Sequence, residues 1–314
     1  MKKVLVITVL LMILGVSGVF VTNFAFDNDI TVDPIEVKTT KTLAYQASTV
    51  VVKSPKLEKK IRATSRDNSK TLFSKNFIYD ATLYKNKNPA NEQFFIPIKL
   101  LYHHVSLFRT KENIIELDYL REVATKLPKS DIPYILDIEI WDVHTADDTE
   151  ANRNIDRYIL VIDTMKKARP DLKFGYYGVL PNRDYWSPVS NDPKKLAEWN
   201  HINQRLKRLV PYVDVICPSL YTFYDDIEGW KKYASENIKR AKEYGKPVYP
   251  FLWPQYHDSN KLRSGDYVGD RVWAEQLSLV SNESDGIIIW GGHKEVWDDQ
   301  AQWWKVTKKF IIGE

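Results

Sequence analysis

From about residue 76 onward, short apolar runs alternate with longer stretches of helical period, and no other feature limits the fold as strongly. Runs rich in β-branched and aromatic residues fall at 76–79, 93–100, 134–141, 173–178, 213–221, 247–253 and 286–290. Between them, Ile114, Leu117, Leu120, Val123 and Leu127 keep one helical face. So do Ile155, Tyr158, Ile162 and Met165, and then Leu196, Trp199, Ile202, Leu206 and Leu209. Further helices are expected over 227–244, 271–280 and around 297–310. Continuous apolar strands alternating with amphipathic helices predict an α/β fold, a parallel sheet covered by helices.

A doubly wound sheet and a closed barrel both satisfy that alternation, and the residues that follow the strands separate them. No dinucleotide fingerprint, Walker loop or Gly-x-Ser-x-Gly elbow follows any strand, so no nucleotide cofactor is expected. Polar and aromatic residues gather instead at the strand C-terminal ends: Asp137, Glu139 and Trp141; Tyr176 and Tyr177; Ser219 and Tyr221; Trp253 and Tyr256; Trp290. In a (β/α) barrel these ends converge on one cleft. The expected fold is therefore an irregular (β/α) TIM-like barrel of about seven parallel strands over residues 76–314.

The residues before it read differently. Lys2 and Lys3 precede an apolar run from Val4 to Val21, the pattern of a signal peptide or an N-terminal membrane anchor over 1–26. At about 18 residues the run is near the lower limit for spanning a bilayer, and cleaved and uncleaved forms both stay open. Residues 27–75 are rich in Lys, Thr and Ser and read as a tether. The positive-inside tendency then puts the bulk of the chain outside the cytoplasm, membrane-anchored or secreted after cleavage. Residues 1–75 hold 12 Lys and Arg against 6 Asp and Glu, so the remainder carries a net charge of −2 out of the overall +4.

With 44% hydrophobic residues the chain has a core's worth of apolar content and is not a disordered polymer. Its single cysteine, Cys217, excludes an internal disulfide and any Cys-based metal cage, and it reads as a small buried hydrophobe. His103 and His104, on an expected extended segment, face opposite ways, and no His pair has metal-ligand spacing, so no metal site is expected. The Lys59–Arg62 cluster comes with no nucleic-acid motif, so no nucleic-acid partner is expected. The oligomeric state is open.

Tyr134-Ile-Leu-Asp-Ile-Glu-Ile-Trp141 carries the chemistry. Side chains two apart on a strand share a face, so Asp137 and Glu139 project together into the expected cleft. Two acids side by side in a partly desolvated cleft do not both ionise, and one pKa must rise. A carboxylic acid still protonated near neutral pH can give its proton to a leaving glycosidic oxygen. The aromatics on the neighbouring strand ends suit sugar faces, which stack on Trp and Tyr rings.

These residues resemble the hyaluronidase family of glycoside hydrolases, whose members adopt an irregular (β/α) barrel. The resemblance rests on Asp137-x-Glu139 with Trp141, on Gly175-Tyr-Tyr-Gly-Val-Leu-Pro181 and on Pro218-Ser-Leu-Tyr221. It continues in Val248-Tyr-Pro-Phe-Leu-Trp-Pro-Gln-Tyr256 and in Ile287-Ile-Ile-Trp-Gly291. It implies a retaining, substrate-assisted glycosidase in which Glu139 is general acid and then base, and Asp137 shares its proton. The nucleophile is the substrate's own N-acetyl oxygen, an exception to the two-carboxylate scheme. Tyr221 and Tyr177 would hold the acetamido group and Trp290 would wall its methyl, with Trp141, Tyr176, Trp253 and Tyr256 as further substrate-binding aromatics. The implied substrate is a glycan containing N-acetylhexosamine. Leu136-Asp-Ile-Glu139 also resembles the barrel-type muramidases acting on peptidoglycan, and a surface-tethered, non-catalytic glycan-binding barrel is the reading from another class.

Overall fold

A computed structural model of the chain describes residues 77–110, 114–190, 192–293 and 295–314. The expected anchor over 1–26 and tether over 27–75 lie outside the described residues. Among the described residues there are eight strands: β1 (Phe77–Thr82), β2 (Ile96–Pro97), β3 (Lys99–Tyr102), β4 (Tyr134–Asp137), β5 (Phe174–Tyr177), β6 (Val215–Cys217), β7 (Phe251–Leu252) and β8 (Gly286–Gly291). They form two four-stranded sheets, β2-β1-β8-β7 and β3-β4-β5-β6. Every pairing within them is parallel.

The sheets meet at both margins. On one side β2 runs into β3 through Ile98, whose N–H donates to the Asp80 carbonyl at 3.2 Å. On the other, Tyr249 N–H donates to the Ile216 carbonyl and Phe251 N–H to the Pro218 carbonyl, at 2.9 and 2.8 Å.

The alternation of side chains sorts the strands into two faces. Ile135, Tyr177, Val215, Cys217, Phe251, Ile288, Tyr79 and Ala81 pack into one buried cluster with Tyr221 and Trp253. The opposite faces of β4–β6, with Tyr134, Leu136, Phe174, Tyr176 and Ile216, pack beneath the helices α1 (Leu117–Lys126), α2 (Asp148–Ala168) and α4 (Pro193–Leu206). Leu252, Ile287 and Ile289 pack under α5 (Ile227–Lys242), α6 (Asp270–Glu283) and α7 (Gln302–Ile312), where Trp230, Trp273, Trp303 and Trp304 are buried. Strands buried on both faces explain why their sequence reads as continuous apolar runs.

The helices begin where polar side chains replace missing backbone partners. Asp147 accepts from the N–H groups of Thr149 and Glu150, Asp192 from Lys194 ahead of Pro193, and Asp226 from Gly229. A four-residue helix, α3 (Trp186–Val189), was not expected from the sequence. The helix expected around 297–310 starts later, at Gln302, and Trp297 lies before it.

Two local expectations are corrected. The run 134–141 leaves the sheet after Asp137, so only its first half is strand. His103 and His104 are not extended: they open a π-helical turn, His103–Leu107, closed by Phe108 N–H on the His103 carbonyl, and their rings touch at 5.0 Å. Such turns recur at functional sites.

Candidate active site

Asp137 is the last residue of β4 and is buried, whereas Glu139, just past the strand, is exposed. Ile138 between them packs into the outer core, so the alternation carries on far enough to turn both acids to the inner face. Their carboxyls are hydrogen-bonded to each other. Burial, then the adjacent charge of Glu139, then that hydrogen bond push Asp137 up to about 8. At neutral pH the pair therefore holds a proton, with Asp137 as its buried keeper and Glu139 as the member facing solvent.

Tyr177, the last residue of β5, points to the same inner face. Its hydroxyl lies 3.2 Å from Ser219 Oγ and its ring 5.8 Å from that of Tyr221. Burial, followed by the neighbouring phenol of Tyr177, holds Tyr221 far above the ordinary phenol range, so it stays protonated and able to donate. Trp290, near the end of β8, lies nearly parallel to Tyr221 at 5.9 Å and edge-on to Trp253 at 4.9 Å. Trp253 is fixed in turn by its indole N–H on Gln255 Oε1 at 2.8 Å.

The backbone makes room for this cluster at Gly291. Its φ is +143°, and a Cβ there would come within 2.9 Å of the Trp253 ring. Asp137, Glu139, Tyr177, Tyr221, Trp253 and Trp290 are thus brought together.

The other predicted residues fare differently. Tyr176 is corrected: as the strand neighbour of Tyr177 it faces the other way, fully buried, and its hydroxyl donates to the Tyr158 carbonyl of α2 at 2.7 Å. It cannot meet a substrate on the inner face. Trp141, past the end of β4, packs against Phe108 and Tyr158 at 5.6 and 5.1 Å. Tyr256 donates to Asp225 Oδ1 at 2.7 Å and lies under the Arg263 guanidinium at 4.2 Å, in the outer cluster with Trp230 and Trp273.

Four further residues lie at the site; of these, the sequence singles out only His257, next to Tyr256, as one that could touch a substrate. Tyr102, paired in register with Asp137, accepts the Trp290 indole N–H at 3.2 Å; burial, with the Asp137 and Glu139 charges, pushes its phenol up to about 12 against the lowering effect of that bond. His103 Nδ1 lies 3.3 Å from the Asp137 carbonyl. His257 borders Tyr221 and Trp253 and is drawn down to about 4 by burial and by Arg183, so it is neutral at pH 7. Ser259 N–H donates to His257 Nδ1, which puts the ring proton on Nε2. Arg183 lies over Phe223 at 5.8 Å, within electrostatic reach of Tyr177, Tyr233, Glu139 and Tyr221. Among the described residues no carboxylate is in salt-bridge range of Arg183. Position at or beyond a strand's C-terminal end was the available signal for each, and it is too common to select them. Cys217 is on the inner face but deeply buried, its thiol pushed up by burial alone. Among the described residues no group of three or more His, Cys, Asp or Glu is placed to hold a metal ion.

An inward acid pair flanked by phenols and indoles thus stands at the ends of parallel strands covered by helices. The known protein structures agree on the fold. Bee venom hyaluronidase superposes with a TM-score of 0.52 at 16% identity, covering 75% of this chain and 95% of that one. The same enzyme in complex with a hyaluronic acid tetramer gives 0.52 at 15% identity, covering 76% and 97%. In sequence, hyaluronidase from Polistes annularis is 26% identical over 161 residues, 48% of this chain and 43% of that protein. Hyaluronidase from Polybia paulista is 26% identical over the same length, 54% of its own chain. The matched part is about half the length of these relatives. No protein-family model matches the chain. The chain is a distant, hyaluronidase-like relative.

Proposed function

We propose that the chain is a glycoside hydrolase whose two sheets close into one irregular barrel, β2 and β3 counting as a single interrupted strand of seven. Its substrate is a glycan containing N-acetylhexosamine. The observation carrying this reading is the mutually hydrogen-bonded Asp137–Glu139 pair on the same inner face as Tyr177, Tyr221 and Trp290. A glycan-binding barrel needs the aromatics but gains nothing from a buried acid holding a proton beside an exposed one.

In the first step the acetamido oxygen of the substrate attacks the anomeric carbon while the bond to the leaving oxygen breaks. Glu139 gives that oxygen the proton held by the pair, and an oxazolinium-like ring remains. Tyr221 donates to the acetamido oxygen and orients it, with Tyr177 beside it. Trp290 covers the methyl, its own plane fixed through Tyr102. In the second step Glu139 takes a proton from the incoming water, which opens the ring from the face the leaving group left, and configuration is retained. Burial of Asp137 keeps a proton on the pair at neutral pH, the condition the first step needs. The scheme calls on no cofactor.

Two sequence relatives bearing the hyaluronidase name favour this reading over a muramidase one. Which N-acetylated glycan is cut is left to a panel of hyaluronan, chondroitin, chitin-type oligomers and peptidoglycan. Cleavage of at least one of them, lost in Glu139→Gln, is the expected result; cleavage only of glycans without an acetamido group would sink the substrate-assisted scheme. An N-terminal signal or anchor (1–26) and tether (27–75) would hold the barrel outside the cytoplasm, at the membrane if uncleaved.

A further inference from the structure

Beyond the acid pair, the segments after β5 and β6, the first of them opening α3, carry an aromatic surface that the cleavage scheme does not use. Trp186 is 54% exposed and Tyr224 is 40% exposed, and their rings meet at 4.7 Å. Both rest on Tyr185, at 5.1 and 4.8 Å, which is itself buried and anchored by its hydroxyl on Asp226 Oδ2 at 3.1 Å. The turn below is fixed as well, since Asp184 Oδ1 accepts from the N–H groups of Trp186 and Ser187 at 2.9 and 3.1 Å. Two large apolar faces are thus held rigid and open to solvent. Burying them in the outer core would stabilise the fold, so their exposure calls for a ligand.

A run of ring contacts links these residues to the cleft. Tyr224 follows Phe223, whose ring packs on His257 at 4.7 Å, and His257 borders Tyr221 at 6.1 Å. Tyr224 is three positions after Tyr221, a reach of at most about 11 Å along the backbone. Arg183, which lies over Phe223, is three residues before Trp186. A glycan lying in the cleft would therefore pass next over these rings.

We propose that Trp186 and Tyr224 form a remote sugar subsite that stacks on the apolar face of a pyranose ring of the same chain, beyond the residue being cleaved. The proposal rests on the glycosidase reading and adds a preference for polymers over short oligomers. Recognition is by ring face, so the subsite takes neutral and N-acetylated sugars alike.

The test uses the full chain and an oligosaccharide series of increasing length from each glycan of the panel. In Trp186→Ala, kcat/KM on the longest members should fall about tenfold, the worth of roughly one aromatic contact, through KM and not kcat. The shortest cleaved member should change by less than about twofold, and Trp186→Tyr should restore much of the loss. Equal losses at all lengths, or none at any, overturn the proposal. A second readout is calorimetric binding of the longest oligosaccharides to Glu139→Gln with and without Trp186→Ala. Loss of affinity on truncation supports the subsite even if the wild type cleaves nothing, in which case only the cleavage scheme falls. Unchanged affinity, or binding of no glycan at all, overturns it. Because both rings are exposed, a thermal midpoint close to wild type is the folding control.

Discussion

Asp137 and Glu139 divide one task between burial and exposure. A buried carboxyl that shares its proton with an exposed neighbour is an acid store, and the exposed partner is the one a leaving group can reach. Glu139→Gln should lower kcat by about 10²- to 10⁴-fold with the thermal midpoint unchanged. Tyr221→Phe should cost about 10²-fold in kcat, the usual loss on removing one preorganised donor. Steady-state kinetics check both. Asp137 makes a second, activity-independent prediction. Unfolded, an Asp titrates near 3.9, and folded it keeps its proton up to about 8. Between those values folded Asp137 binds a proton that the unfolded chain has released, so its contribution to stability falls as pH rises from about 4 to about 8 and levels off above. The buried imidazoles of His144 and His257, both drawn down to about 4, act the opposite way below about pH 6.5, so the comparison is between variants: from pH 5 to pH 8 the thermal midpoint of the wild type should fall further, or rise less, than that of Asp137→Asn. An equal slope in the variant would mean that the raised acid is elsewhere.

At the scale of elements, close spacing of β5 and β6 sets the inner face. Gly175 is needed because a Cβ there would meet Val215 Cγ1 at 2.5 Å and the Val215 carbonyl at 2.8 Å. Gly175→Ala should therefore destabilise the fold by about 1–3 kcal/mol, read as a lower urea midpoint at unchanged m. The same strands explain what could be read in advance. Among the described residues, the seven apolar runs fall on all eight strands, one run spanning β2 and β3, and the helical stripes on six of the seven α-helices, because a segment buried on one or both faces must repeat at its own period. The acid pair was legible for the same reason, since spacing of two on a strand fixes a common face. Direction and length were not. Tyr176 and Tyr177 are chemically alike, and only the partner elements decide which of the two turns toward α2. Trp141 shares the parity of Asp137 and Glu139, but the strand ends first and the parity no longer governs it. Tyr102, Arg183 and His257 reach the cluster through contacts distant in sequence, which no local pattern encodes.

For the whole molecule, the charge is unevenly spread. The net +6 of residues 1–75 stands apart from a domain at −2, so the basic excess belongs to the segment before the sheets. That assigns no strong attraction for polyanions to the domain as a whole, and leaves any such preference to local groups such as Arg183. Among the described residues no helix is long and apolar enough to cross a membrane, and the apolar run Val4–Val21 lies outside them. If residues 1–75 serve only to anchor and tether, residues 70–314 alone should keep kcat within about twofold of the full chain and unfold at the same midpoint. A large loss of either would make the N-terminal segment part of the folded unit. The central claim, acid donation by Glu139 with the substrate's own acetamido group as nucleophile, is tested most directly by proton NMR of the first product released from an N-acetylhexosamine glycan. The anomer should be the retained one, and Glu139→Gln should release none on the same timescale; an inverted first product, or undiminished release by Glu139→Gln, would contradict it.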